Sequence, residues 1–534
     1  MVNQLNLGFL SKHIGNENFT SLKKAYETIS LDGHFDVKIT DKKLAVLLFE
    51  NSVKNDFFEN KQNLLDFLYS LPDITQRRII EELNVSSLNE IKWSAKISAF
   101  FIDQFGLSEK FRWKSNTNEQ TALSHFYLES PSKKFKKLKE YQSGVFFKLE
   151  QYILNTPYSR CILQMPTGSG KTRTAMELVC SVMNNTGKDV LWLANTEELC
   201  DQAFSSFLEV WFFLRQGEGA GINHIRTKSK INSNEFPIFH VTSLQSLNNL
   251  DNDLKLKKLG IDPEKIELLI VDEAHISIAT TYKKTINNII RRGTKLLGLT
   301  ATPGRQLKNE SENIELSDFY FNKIFEIETG KQEPIEYLRN QGILSNAKFI
   351  SIEGSKLEDL MLIDAFKEYK QKGVISKRIE TILTNNHQRN AIIFDQLVQL
   401  INQGKKIIFF ATSIAHSEMI STLLIMKGFK SVHLDGNTGK YRSKIIKDFK
   451  NGEYQIICNY GVLSTGFDDP KIDVVFMARK TNSIVLYSQI IGRGLRGPLI
   501  GGTDTCEIYT IFDNLIDLPS NNKIYSYFEN YFIN

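Results

Sequence analysis

The chain has 534 residues, 41% hydrophobic and 24% charged, which is enough apolar content for ordinary cores and too much for a disordered chain. Its 31 Gly and 11 Pro exclude a collagen-like or low-complexity sequence. Lys plus Arg exceed Asp plus Glu by 66 to 61, a net charge of +5. That mildly basic balance permits nucleic-acid binding without demanding it.

At about 150 residues per domain, the length suggests three or four domains. Cys161, Cys180, Cys200, Cys458 and Cys506 are scattered and form no C-x-x-C pair, so neither a disulfide framework nor a zinc knuckle is expected. Such sparse cysteines suit a reducing cytosol. The first basic residue is Lys12, so no signal peptide is expected. No apolar run approaches the ~18 residues of a membrane span. The expected location is cytoplasmic.

Residues 1–130 read as a mainly helical accessory domain. Leu64, Leu65, Leu68 and Leu71 recur at helical spacing, as do Ile79, Ile80 and Leu83, and again Ile97, Phe100, Phe101 and Phe105. Pro72 and Gly106 are helix stops. A short strand is expected within 36–49. Asp36 and Lys38 form half of a nuclease D-x-K pattern, and without a second acid they read as a surface turn. The basic run Lys133, Lys134, Lys136, Lys137 and Lys139 reads as a solvated helix face, with a phosphate-backbone contact as the functional alternative.

From about residue 140, β-rich runs alternate with amphipathic helical patterns. Cys161 to Met165, Val190 to Ala194, Pro237 to Val241, Leu268 to Val271 and Leu296 to Leu299 form one series. Lys406 to Ala411, Ser431 to Leu434, Gln455 to Cys458, Val474 to Ala478 and Cys506 to Phe512 form a second. Repeated βαβ units of this kind build parallel sheets. The fold class is therefore α/β, with two parallel-sheet domains over 131–325 and 326–534. The polar stretch Lys308 to Asn313 between them reads as an exposed loop.

Met165-Pro166-Thr167-Gly168-Ser169-Gly170-Lys171-Thr172 follows an expected strand and opens an expected helix. Glycines let backbone N–H groups wrap a polyphosphate, and the helix N-terminus adds its positive dipole end. Lys171 would reach the β- and γ-phosphates, and the Thr172 hydroxyl would bind Mg²⁺. Met165 stands where the strict pattern has its first glycine. An acidic partner follows the apolar run Leu268 to Val271, at the strand end where α/β sheets collect ligands. There Asp272 would hold Mg²⁺, and Glu273 would take a proton from the attacking water. Together these residues point to an NTP site.

Residues 135–515 resemble the superfamily 2 helicases and translocases of the DEAH-box type, with Asp272-Glu273-Ala274-His275 as the naming motif. Leu193 to Leu199 looks like motif Ia, and Val241 to Leu247 like the next nucleic-acid motif. Leu299 to Pro303 looks like motif III and Ile407 to Ala411 like motif IV. Val462 to Asp468 looks like motif V, and Gln489 to Arg496 like motif VI. Thr465 to Asp468 and the motif VI run are similar to the XPB, UvsW and RadD branch shared with restriction-enzyme translocation subunits. The cysteine-rich zinc module of RadD-type proteins has no counterpart here.

The resemblance implies two RecA-like domains closing on ATP and Mg²⁺. It assigns Gln142 to adenine, Thr167 to Thr172 with Gly466 and Asp468 to ATP, and Gln489, Arg493 and Arg496 to catalysis with Glu273. It assigns His275, Thr300 and Thr302 to coupling, and Thr196, Thr242, Ser243 and Thr465 to nucleic-acid phosphates. Arg493 and Arg496, three apart, are expected on one helix face. The implied activity is an ATP-dependent DNA helicase or translocase, serving genome maintenance or anti-phage defence. The alternatives are an RNA helicase, and an ATP-gated DNA clamp that separates no strands and takes a protein partner through residues 1–130.

Overall fold

The computed structural model describes residues 6–35, 39–54, 56–113, 137–214, 221–224, 236–247, 256–257, 259–290, 293–301, 310–354, 376–464, 466–479 and 484–512. Asp36, Lys38, Lys133, Lys134 and Lys136 lie outside these residues, as do Thr302 and Thr465.

Two parallel sheets organise the chain. The first comprises β1 (Arg160–Gln164), β2 (Asp189–Ala194), β3 (Gly221–His224), β4 (Ile238–Ser243), β5 (Ile266–Asp272), β6 (Lys295–Thr300) and β7 (Ile324–Phe325), in the order β3-β4-β2-β5-β6-β1-β7. The second comprises β8 (Asn346–Glu353), β9 (Ile407–Phe410), β10 (Ser431–Leu434), β11 (Ile456–Asn459), β12 (Val474–Met477) and β13 (Thr505–Phe512), in the order β10-β11-β9-β12-β13-β8. All ten expected strands are present. The edge strands β3, β7 and β8 are additional.

Side-chain alternation explains why both sheets are buried on two faces. In the first, Leu268 and Ile270 join one apolar cluster while Leu269 and Val271 join the other. In the second, Ile407 and Phe409 face one way, and Ile408 and Phe410 the other.

The N-terminal residues form helices Leu7–Ile14, Asn16–Leu31, Asp41–Ser52, Lys61–Tyr69, Asp73–Leu83 and Ala95–Phe105. Pro72 caps the start of the fifth, and Gly106, at φ 64°, closes the sixth in the left-handed conformation. The strand expected within 36–49 is instead the helix Asp41–Ser52. Thr40 caps it by accepting from Lys43 N–H. Leu44, Ala45, Leu48 and Phe49 then fall on one buried stripe.

These helices pack on the second lobe rather than standing apart. Leu22, Leu48 and Phe49 share one apolar cluster with Phe394, Leu397, Met419 and Leu423. The helix Ile414–Met426 is consequently buried at every position from His416 to Leu424, as a helix covered on all sides must be. Polar ties reinforce the join. Asn51 Nδ2 donates to Glu418 O (3.1 Å) and Thr422 Oγ1 (3.0 Å), and His34 Nε2 meets Asp395 Oδ1 at 2.5 Å.

Between the lobes, the stretch expected to be a polar loop is helical from Glu310 to Phe319. Leu316 and Phe319 anchor that helix in the first core. Leu338, Ile343 and Leu344 also pack in the first lobe, so packing changes hands at Ser345, later than the expected boundary at 325. All five cysteines are buried, and none is in a disulfide. No helix among the described residues is long and apolar enough to cross a membrane.

The shared core generates a prediction. A fragment starting at residue 137 should expose the outer face of the helix Ile414–Met426 and aggregate. In the intact chain, Leu423→Ala should cost about 2–5 kcal/mol in denaturant unfolding. A fragment that stays soluble and melts at the same midpoint would show that the helical layer folds separately.

Candidate nucleotide site between the lobes

The phosphate-loop residues follow β1 and lead into the helix Lys171–Thr186. Gly168 and Gly170 have φ of 91° and 87°, a left-handed backbone that glycine adopts at no steric cost. The loop is propped from behind by the first turn of the helix Glu140–Asn155. Tyr141 OH donates to Ser169 O at 2.7 Å, and Gln142 Nε2 donates to the same oxygen at 3.1 Å. Gln142 Oε1 accepts from Lys139 N–H (2.9 Å). Both ends of the residue expected to read adenine are thus bonded to backbone. Met165 N–H donates to Thr300 O (3.1 Å), tying the loop to the end of β6.

Asp272 ends β5 and Glu273 follows at φ 60°, a strained position for a residue with a side chain. Asp272 is 5% exposed. Burial pushes its carboxyl up to about 6, the neighbouring Glu273 adds to this, and Lys171 opposes it. Glu273 goes the other way. Burial alone would raise its carboxyl, but Lys171, His275, Arg493 and a hydrogen bond from Gln489 together hold it below the usual range. His275 Nδ1 lies 3.4 Å from Glu273 Oε2. The first lobe thus supplies Lys171 and His275 to this carboxylate, and the second supplies Arg493 and Gln489.

The second-lobe groups come from the end of the helix Ile484–Ile491 and the turns after it. Arg493 and Arg496 are therefore not on one helix face. Gly492, Arg493 and Gly494 close successive turns, and Arg496 lies beyond them. Arg493 Nε donates to Gln489 O (3.1 Å), and its Nη1 donates to Phe467 O. Burial, then the nearby Arg496, lower the Arg493 guanidinium to about 10. Arg496 Nε meets Asp468 Oδ1 at 2.7 Å, and its Nη1 donates to Gly492 O at 2.8 Å.

Contact across the cleft is close. A Cβ added to Gly168 would collide with Arg496 Nη1, and one added to Gly492 would lie 2.8 Å from Thr167 Cβ. Gln202, on the helix Glu197–Leu214, donates to Gly466 O. The cavity so enclosed, about 780 Å³, is lined by Gln142, the phosphate loop, Asp272, Glu273, Gly466, Asp468, Gln489, Arg493 and Arg496. Backbone N–H groups, a lysine, a hydroxyl at a helix start and a buried acid fit a triphosphate with a divalent cation. Thr172 and Asp272 are the residues that would hold such a cation.

The expected nucleic-acid hydroxyls are elsewhere, at the ends of β2 and β4. Thr196 Oγ1 caps the following helix by accepting from Leu199 N–H (3.4 Å). Ser243 Oγ bonds Ser246 Oγ (2.8 Å), and Thr242 is buried. Sequence reasoning missed Tyr141, Gln202 and Ile343 as lining residues. Only Tyr141, beside Gln142, carried a local signal.

The comparisons agree with this geometry. Residues 135–305 match the model "Type III restriction enzyme, res subunit", and residues 388–497 match "Helicase conserved C-terminal domain". The chain carries both domains of the superfamily 2 helicases of the restriction-subunit branch. Among superfamily 2 relatives, IRC3 of Saccharomyces cerevisiae, named as an ATP-dependent helicase, is 27% identical over 65% of this chain and 47% of its own. The EcoAI type I restriction endonuclease subunit of Escherichia coli is 23% identical over 72% of this chain and 47% of its own. The chain thus spans about half the length of these curated relatives. The fragment structure of an HsdR subunit of a type I restriction enzyme from Vibrio vulnificus shares the fold. Its TM-score is 0.51 at 18% identity, over 72% of this chain and 67% of that one.

Because a side chain at Gly492 meets Thr167, Gly492→Ala should hold the superfamily 2 lobes apart. Overpacking of about 1–3 kcal/mol would weaken nucleotide binding by about 5- to 150-fold, read by titration of a fluorescent ATP analogue. Unchanged affinity would show that binding does not need this approach.

Proposed function

We propose that the protein is an ATP-dependent DNA helicase or translocase. One observation carries the reading. Lys171, Asp272 and Glu273 of one lobe share a cavity with Gln489, Arg493 and Arg496 of the other. Lys171 and the loop N–H groups would bind the β- and γ-phosphates. Bound Mg²⁺, held by Thr172 and Asp272, would supply positive charge to the phosphate oxygens. Glu273, kept ionised by cations from both lobes, would accept the proton of the attacking water. Gln489 would orient that carboxylate. Arg493 and Arg496 would stabilise charge on the transferring phosphoryl group, an effect worth about 10³ to 10⁵ in rate.

Binding energy from both lobes favours the closed state, and loss of the γ-phosphate removes part of it. That difference in affinity is what can drive motion. Thr300 and His275 would link the phosphate loop and Glu273 to the neighbouring strand ends. Thr196 and Ser243 stand on the same sheet edge as the phosphate loop, where they and Thr242 and Thr465 would meet the phosphate backbone. Such contacts fix register without reading sequence. The restriction-enzyme names among the relatives favour DNA over RNA.

Lys171→Ala should abolish ATP turnover by removing phosphate binding. Glu273→Gln should abolish it while ATP stays bound, as equilibrium binding would show. Arg493→Ala should lower kcat by about 10³-fold or more. An ATPase and strand-displacement panel of single-stranded, duplex and forked DNA and RNA separates the readings. Stimulation by DNA supports the proposal, with displacement marking a helicase and its absence a translocase. Stimulation by RNA alone would make this an RNA helicase. DNA binding gated by ATP without turnover would make it a clamp. Normal turnover in Lys171→Ala or Glu273→Gln would overturn the assignment of the site.

A further inference from the structure

The helix Pro334–Asn340 hands the chain to β8 through residues 341–345, and this short strap touches both halves of the site. On the first-lobe side, Ile343 and Leu344 belong to the core behind the phosphate loop. Leu344 Cδ2 lies 3.1 Å from where a Cβ on Gly168 would stand. On the second-lobe side the strap runs beside the chain that follows Arg496. Gly497 N–H donates to Ile343 O (2.9 Å), and Leu499 N–H donates to Gly342 O (3.0 Å). Ser345 is fully buried, and its Oγ stands 2.6 Å from both Arg496 O and Thr503 O. A hydroxyl has one proton to give, so it is shared between two carbonyls of the same turn. Arg496 O also accepts from Thr503 N–H (3.0 Å).

The approach leaves no slack. A Cβ at Gly497 would land on the carbonyl of Gly342. The Arg496 side chain is held by Asp468 and Gly492, both in the second lobe. The strap is what ties the Arg496 backbone to the lobe that carries the phosphate loop.

We propose that Ser345 is a positioning residue for Arg496, and that the strap sets the guanidinium against the phosphate loop as the lobes close. The proposal rests on the reading of Arg496 as a charge-stabilising group of an ATPase. An arginine displaced by about 1 Å at such a site can lose about 10²-fold in rate. Ser345 acts through the Arg496 backbone and touches no nucleotide. Its loss should therefore be felt where charge develops and not in ground-state binding.

The test compares affinity for ADP with affinity for ADP plus aluminium fluoride and Mg²⁺, a mimic of the transferring phosphoryl group, in the full chain. Ser345→Ala should weaken the mimic by about 3- to 10-fold, the size of one hydrogen bond, and leave ADP within about twofold. It should lower kcat with little change in KM. In an Arg496→Ala background the same substitution should have no further effect on the mimic, since residues acting as a unit are non-additive. Ser345→Cys, close in volume and a poor donor, gives the same comparison if the alanine variant does not fold. Equal weakening of both ligands, no weakening of either, or full additivity with Arg496→Ala would overturn the proposal. A wild-type chain that binds no ADP would instead overturn the ATPase reading itself.

Discussion

The site depends on how near the two lobes come to each other. Gly492 of the second lobe meets Thr167 of the first, and Arg496 presses on Gly168. This approach concentrates charge that neither lobe would bury alone. Asp272 and Glu273 sit side by side in a buried place, which by itself favours their neutral forms. Lys171 offsets part of that cost from the same wall. For Glu273, His275 adds to this from the same wall, and Arg493 and Gln489 add a smaller part from the opposite wall. The ionisation of Glu273 is therefore supported from both lobes, first by Lys171 and His275 of its own and then by Arg493 and Gln489 of the other.

Much of this was legible in the sequence. The inner strands were readable because both of their faces are buried, so β1, β2, β5, β6, β9, β11 and β12 are apolar runs bounded by loops. Of the four edge strands, only β10 was. β8 has no buried residue along its length, and β7 has only two residues. Such strands form because a neighbour offers a ladder, as β13 does for β8 over eight paired positions. The helix Asp41–Ser52 was misread for a related reason. Val46 is buried beside the stripe of Leu44, Ala45, Leu48 and Phe49, so apolar residues run unbroken from Leu44 to Phe49 and hide the helical period.

The candidate site divides the same way. Groups that chemistry fixes at a strand end, Lys171, Asp272 and Glu273, could be placed from local pattern. Groups defined by what they touch across the chain could not. Gln142 shows why. Its side chain is committed to Ser169 and to its own helix start, so in this arrangement it shapes the phosphate loop. Thr196 and Ser243 are similar, with hydroxyls that cap the chain after β2 and β4. Backbone groups are obligatory hydrogen-bond partners, and a sequence motif does not reveal which of them a polar side chain will satisfy.

The path of the chain adds a mechanical consequence. Helices before residue 113 share a core with the second lobe, the first sheet comes next, and the strap at 341–345 leads back. The first lobe is thus an insertion between two parts of one body. Asn51 and His34 bond that body's helical layer to the helices behind β9 and β10, on the same lobe as Arg493 and Arg496. When the lobes close or part, the helical layer moves with the arginines and not with the phosphate loop. A body attached through an apolar core shifts as a unit, because packed interiors transmit displacement rather than absorb it. Anything held by the N-terminal helices would consequently be carried relative to the first lobe by any motion that carries the arginines.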